Sequence, residues 1–105
     1  MEKYKIDIAQ DFSPNLGVRY RSLGPYSGEE FYEEKLEKMF KEAKAANEQL
    51  HIYLDGASPY GSSFLDESFG KLARNFSVAE VAKIIVFLTV NYKWIVEFIK
   101  SNIWK

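Results

Sequence analysis

The run Leu50-His51-Ile52-Tyr53-Leu54 is short and apolar and is closed by Asp55. Turn formers follow in Gly56-Ala57-Ser58-Pro59-Tyr60-Gly61, and then Leu65, Phe69, Leu72, Ala73 and Phe76 recur at helical spacing. A buried strand passing through a tight corner into an amphipathic helix is what this pattern dictates. It restricts the chain to folds in which helices pack on a sheet. Ser62 and Ser63 fall at the junction, where the first backbone N–H groups of a helix lack intrahelical partners and attract an oxygen or an anion.

The flanking segments extend the pattern. Tyr4, Ile6 and Ile8 alternate with Lys3, Lys5 and Asp7, the period of a half-buried strand. The turn-rich stretch from Asp11 to Gly17 precedes Val18-Arg19-Tyr20-Arg21, which alternates again and is expected to be a second strand. Ser27 followed by Glu30 has the spacing of a capping box. Behind it, Tyr32, Leu36, Met39, Phe40 and Ala43 mark one stripe of a helix that runs to about Ala46 and ends at Asn47. Its opposite face, with Glu33, Lys35, Glu37, Lys38, Lys41 and Glu42, is a solvated surface.

Beyond the corner helix, Ser77 and Glu80 repeat the box before a short helix through Ala82. The run from Ile84 to Val90 is continuous and β-branched, which suits an interior strand covered on both faces and lying beside the Leu50–Leu54 strand. Ile95, Phe98, Ile99 and Asn102 or Ile103 then line one side of a last helix from Tyr92 to Trp104. The order β-β-α-β-α-β-α predicts one α/β domain over residues 3–104: a mixed sheet of about four strands, with a right-handed parallel crossover and helices packed on it.

Composition narrows the function. Apolar residues make up 47% and charged residues 28% of 105, which is globular and argues against disorder. With 14 basic and 15 acidic residues there is no bulk electrostatic pull toward nucleic acid. The lack of cysteine removes thiol nucleophiles, disulfides and cysteine-ligated metals, and fits a cytoplasmic protein. Neither a signal-peptide core near the N-terminus nor a run long enough for a membrane span is present in the sequence.

Each candidate residue carries two readings. Ser63 with Asp66 has the spacing of a helix cap. Alternatively Ser62 or Ser63, rigid and exposed at the positive end of a helix dipole, is a phosphoacceptor. A phosphate there gains from the dipole but meets Asp66 and Glu67, and that opposition is what a switch needs. Asp55, Asp66 and Glu67 read as a Mg²⁺ or acid/base cluster, or as ordinary first-turn acids and a turn-capping Asp55. His51 is read as a partly buried strand residue rather than a catalyst. Arg19, Arg21 and the helix start at Ser27 form a candidate anion site, against the alternative of a solvated strand edge. Tyr92, Trp94 and Trp104 fall off the last helix's stripe. They mark either a contact surface, with Trp94 and Trp104 joining a homodimer, or a wrap around the sheet edge.

Three stretches in this order carry a likeness: Asp11-Phe12 with Gly17 and Arg19; Gly24-Pro25-Tyr26-Ser27-Gly28-Glu29-Glu30-Phe31; and Ser62-Ser63-Phe64-Leu65-Asp66-Glu67 with Phe69-Gly70-Lys71-Leu72. Over about residues 3–90 the chain resembles the STAS-like domain family of unknown function, a bacterial and phage group distantly akin to the STAS domains of anti-sigma factor antagonists. In those antagonists a serine at the matching corner is phosphorylated by a partner kinase. The resemblance implies a non-enzymatic interaction module whose corner, with Ser58, Ser62, Ser63, Asp55, Asp66 and Glu67, meets a protein partner. That partner would be a histidine-kinase-like ATPase acting on Ser62 or Ser63. The alternative is a small-ligand sensor for an anion or nucleotide at the corner or at Arg19 and Arg21. No cofactor, metal, nucleic acid or membrane is implied by either.

Overall fold

Alternation at the N-terminus becomes β1, Tyr4–Asp7, in the computed structural model, which describes residues 3–105. The apolar run before the corner becomes β2, Leu50–Tyr53, and the β-branched run becomes β3, Ile85–Leu88. All three strands are parallel, in the order β1-β2-β3, and register places Ile6 beside Ile52 and Ile52 beside Phe87. These side chains share the face on which the helices pack. The other face carries Lys5, His51 and Val86 in register, none of them fully buried.

The helix α1 is continuous over residues 28–45, with Gly28–Phe31 and Glu37–Ala45 flanking a wider turn at Tyr32–Leu36. Ser27 caps it by accepting the Glu30 N–H at 3.1 Å. The reciprocal bond of the box closes one residue early, from Tyr26 N–H to the Glu30 carboxylate at 3.1 Å. Phe31, Tyr32, Leu36, Phe40 and Ala43 are buried, as the stripe requires. The helix stops where Asn47 turns left-handed at φ 56° and the Glu48 N–H donates to Ala43 O at 2.9 Å, an arrangement that satisfies a last-turn carbonyl.

The corner helix, α2, is continuous over residues 62–76 and buries Phe64, Leu65, Phe69 and Leu72. It crosses the start of α1 so closely that a Cβ on Gly28 would stand 2.7 Å from Phe64 O, which is why glycine opens α1. Ser77 ends α2 and caps α3, Val78–Ile84, accepting the Glu80 N–H at 3.3 Å. The last helix, α4, runs over residues 93–103 and lies against the middle of α2. No helix among the described residues is long and apolar enough to cross a membrane.

Three expectations are corrected. The sheet has three strands, all parallel, because Val18–Arg21 is not a strand. There, Val18 O and Arg19 O accept from Gly28 and Glu29 N–H at 2.8 and 3.0 Å, so the segment pairs with the start of α1 instead of the sheet. Secondly, β3 is an edge strand beside β2 and is not enclosed on both faces. Its apolar run was longer than the strand because Ile84 belongs to α3, while Val90 lies beyond the strand end and is 80% exposed. Thirdly, of the two readings of Trp104 the wrap around the sheet edge holds and the contact surface does not: it is only 5% exposed, packs on Phe87 of β3 at 5.5 Å between centroids and donates its Nε1–H to Phe69 O at 3.0 Å. It belongs to the core and leaves Trp94, 66% exposed, without it on the surface.

That division gives a measurable contrast. Trp104→Ala should lower the free energy of unfolding by about 3–5 kcal/mol, while Trp94→Ala should stay within about 0.5 kcal/mol of the parent, both read by urea titration. Equal losses from the two substitutions would contradict the placement of Trp104.

Candidate functional site

After β2 the chain passes Leu54 and turns at Asp55-Gly56, where Gly56 takes φ 93°, a conformation suited to glycine. The Ser58–Pro59 peptide is cis. Tyr60 is buried, donates its hydroxyl to Leu54 O at 2.6 Å and packs edge-on to Tyr92 at 5.0 Å between centroids. Burial pushes its phenol well above the usual range. The corner is therefore pinned from inside by an aromatic side chain and leaves Ser58, Pro59, Gly61, Ser62 and Ser63 exposed.

Gly61 holds the cap position of α2 with extended backbone (φ −72°, ψ 153°) and no side chain to cap with. The Ser63–Asp66 cap expected from spacing does not form, because the cap position lies two residues earlier, at Gly61, and Asp66 is held elsewhere. Among the described residues neither serine hydroxyl has a hydrogen-bond partner. The first amide of α2 bonded within the helix is Leu65, to Gly61 O at 3.0 Å. The preceding amides, those of Ser62, Ser63 and Phe64, have no such partner and stand at the positive end of the helix dipole, Ser62 and Ser63 exposed and Phe64 buried.

One turn further on lies an ion cluster. Asp66 accepts from Arg19 Nη1 at 2.6 Å and from Arg74 Nη1 at 3.0 Å. Glu67, nearly buried, lies 3.7 Å from Arg19 and 3.6 Å from Lys71. The wide turn Asp66–Gly70 explains the pairing of Asp66 with a residue eight further on. Two α turns take about 7.2 residues, and the added i→i+5 step brings Arg74 back over Asp66. A Cβ at Gly70 would stand 2.9 Å from Asp66 Oδ1 and 3.1 Å from Arg74 Nη1, so a side chain there would have to push the ends of that ion pair aside.

Asp55 lies apart from that cluster. Its carboxylate accepts from the Thr89 hydroxyl at 2.7 Å, the Val90 N–H at 2.8 Å and the Asn91 N–H at 3.1 Å. It closes the loop after β3, as the turn-capping reading of Asp55 has it, and shares no partner with Asp66 and Glu67, so the alternative of an acid cluster is not assembled. Among the described residues no group of three or more His, Asp or Glu is placed to hold a metal ion. The anion site is not assembled either. Arg19 is directed at Asp66 and Glu67, Arg21 at Glu33 and Glu34 (3.2 and 3.1 Å), and Ser27 is fully buried in its capping bond. His51 is half-buried at the centre of β2, with Nδ1 unpartnered among the described residues.

Residues 27–92, from the cap of α1 to the loop after β3, match the family model of the STAS-like domain of unknown function. The chain belongs to that family. No curated protein and no solved structure matches it.

In this STAS-like domain, sequence reasoning placed the corner correctly but missed what surrounds it. The pairing of Lys71 with Glu67 at i+4 was readable as a helix-face pair. Arg74 was hidden by the wide turn. Arg19 was hidden because its partner lies 47 residues away. Tyr60 gave only the signal of an aromatic among turn formers, and Thr89 gave none.

The carboxyls of Asp55 and Asp66 both lie below their ordinary value of 3.8. For Asp55 the cause is donation by Val90 N–H and the Thr89 hydroxyl. For Asp66 it is donation by Arg19, helped by Arg74. A lowered folded-state pKa means that the unfolded chain takes up the proton first. The stability from these groups is therefore present above 3.8 and is lost as pH falls through the depressed values. Asp55→Asn should cost about 1–2 kcal/mol at pH 7, and its deficit relative to the parent should shrink in urea titrations repeated near pH 3. A deficit unchanged by pH would remove the charge-based account.

Proposed function

We propose that the chain is a non-enzymatic regulatory module whose corner, residues 58–67, is read by a protein partner and is switched by phosphorylation of Ser62 or Ser63. The observation that carries this reading is the pair of exposed, unbonded hydroxyls on a helix start with no side-chain cap. A phosphoryl group there adds about −1.5 to −2 charges next to free N–H groups and the positive end of the α2 dipole. The repulsion expected from Asp66 and Glu67 is moderated, because Arg19, Arg74 and Lys71 already pair with them.

The chemistry required is ordinary phosphoryl transfer. The serine Oγ attacks the γ-phosphorus of ATP, the bond from that phosphorus to the β,γ-bridging oxygen breaks, ADP leaves, and the hydroxyl proton passes to a base of the kinase. The partner class, a histidine-kinase-like ATPase, comes from the likeness to the anti-sigma factor antagonists. The sensor reading has less behind it, since Arg19, Arg21 and Ser27 each hold an internal partner.

The test is incubation with ATP and a kinase-like ATPase encoded beside the gene, followed by mass spectrometry. Phosphate is expected on Ser62 or Ser63 and should vanish in the Ser62→Ala, Ser63→Ala double variant. Ser62→Asp or Ser63→Asp should weaken the complex with the ATPase at least tenfold. A complex indifferent to all of these changes, with no phosphoserine formed, would end the proposal.

A further inference from the structure

Consecutive parallel strands in the order β1-β2-β3 make both crossovers advance in the same direction, and right-handed connections then lay α1, α2 and α3 on one side of the sheet. The last helix, α4, packs on α2 and adds to that same side. The opposite side is crossed by two rows in register, Lys5-His51-Val86 and Asp7-Tyr53-Leu88. Lys5 is exposed and the other five are half-buried, whereas Ile6 and Ile52, between the rows, are buried beneath the helices. An all-parallel sheet is almost always covered on both faces, so a bare one calls for a cover.

The two rows dictate what fits. Two residues along each strand, a cation is followed by an anion on β1, an imidazole by a phenol on β2 and a valine by a leucine on β3. A two-fold axis lying across the strands, over the row Ile6-Ile52-Phe87, exchanges the two rows. It sets Lys5 opposite Asp7 of a second copy, His51 opposite Tyr53 and Val86 opposite Leu88, each contact occurring twice as an isologous interface requires. An axis along the strands would instead lay Lys5 and Asp7 on Val86 and Leu88, where charges facing methyl groups are costly. Both charges are available for the first arrangement. Among the described residues Lys5 has no carboxylate, and Asp7 no cation, within ion-pair distance, although Asp7 Oδ1 accepts the Gln10 N–H at 3.3 Å.

We infer that the bare face of the sheet is where two copies of this chain associate, sheet against sheet with their strands antiparallel, through Lys5, Asp7, His51, Tyr53, Val86 and Leu88. The cover that the parallel sheet calls for is then a second sheet about 10 Å away. Complementary charge fixes the orientation, and the apolar contact of Val86 with Leu88 supplies the attraction at the other edge. The face is small beside the roughly 800 Å² that each partner gives to a standard interface, so the dimer is weak, with a Kd of about 0.1–1 mM. The inference does not depend on phosphorylation at the corner, because none of the six residues belongs to it and the test uses unmodified protein.

The experiment is sedimentation equilibrium of the full chain at protein concentrations up to about 1 mM, the upper end of that Kd range. The parent should dimerise. Lys5→Glu sets a carboxylate against Asp7 of the second copy, and Asp7→Lys sets an ammonium against its Lys5, so each variant alone should associate at least tenfold more weakly. Mixed one to one, the two variants should recover the parent's affinity, because every facing pair in the mixed dimer again has opposite charges. Asp7→Asn replaces Asp7→Lys if circular dichroism shows that the latter does not fold, and should weaken association several-fold. Ser62→Ala, Ser63→Ala and Trp94→Ala should change nothing. A parent that stays monomeric at the highest concentration, single variants that associate as the parent does, or a mixture of the folded charge variants that fails to recover would each overturn the inference. So would a dimer lost on Trp94→Ala, because the contact would then lie on α4.

Discussion

A chain of aromatic contacts runs through the molecule, and the placement of every functional candidate depends on it. Phe12 meets Phe31 at 5.2 Å, Phe31 meets Phe64 and Phe69 at 5.7 and 5.9 Å, Phe69 meets Phe87 at 5.2 Å, and Phe87 meets Trp104 at 5.5 Å. These rings come from the N-terminal turn, α1, α2, β3 and the C-terminal end, so one contiguous set of contacts joins segments far apart in sequence. Such pairs add about 0.5–1.5 kcal/mol each beyond their buried area. Phe64 and Phe69 lie on the inner face of α2. Their burial fixes the rotation of that helix about its axis and leaves Ser62 and Ser63 outside.

The polar groups of the core are arranged around the same contacts. Tyr32 receives a hydrogen bond from Asn75 and gives one to Glu37, and burial pushes its phenol up to about 12. Ser68, fully buried, returns its hydroxyl to Phe64 O at 2.7 Å. With Trp104 on Phe69 O and Tyr60 on Leu54 O, three of these buried donors find backbone carbonyls as partners and Tyr32 finds a carboxylate. The two corner serines stand out against this background as hydroxyls in the open with no such duty.

Local rules made most of the elements legible from sequence. Ser27 and Ser77 cap where their spacing to Glu30 and Glu80 said they would, Asn47 ends α1, and the buried faces of α1 and α2 follow the apolar stripes. What failed was set by contacts distant in sequence. Alternation at Val18 to Arg21 looked like a strand, but its carbonyls were taken by the start of α1 and the Arg19 side chain by Asp66. Trp104 lies off the periodic stripe of α4 because it folds back beyond the helix end, where the positions of Phe69 and Phe87 decide that it is buried. Ser63 was read as a cap because Asp66 has the right spacing, yet a glycine can hold the cap position and let the helix begin two residues sooner.

Arg19 links the segment ahead of α1 to the serine corner, and magnitudes decide what that link does. Its bond to Asp66 joins two partly exposed side chains, and pairs of that kind contribute about 0–1 kcal/mol. The segment that carries Arg19 is also held by backbone bonds from Leu16 to Ser58, Gly17 to Tyr26, Gly28 to Val18 and Glu29 to Arg19. At about 0.5–1.5 kcal/mol each, these outweigh the ion pair in fixing the loop. The position of the loop is therefore a backbone property, and the guanidinium is left with an electrostatic task. With Arg74 and Lys71 it offsets the charge of Asp66 and Glu67 one turn along α2 from Ser62 and Ser63, which lowers the repulsion that negative charge would meet at the helix start.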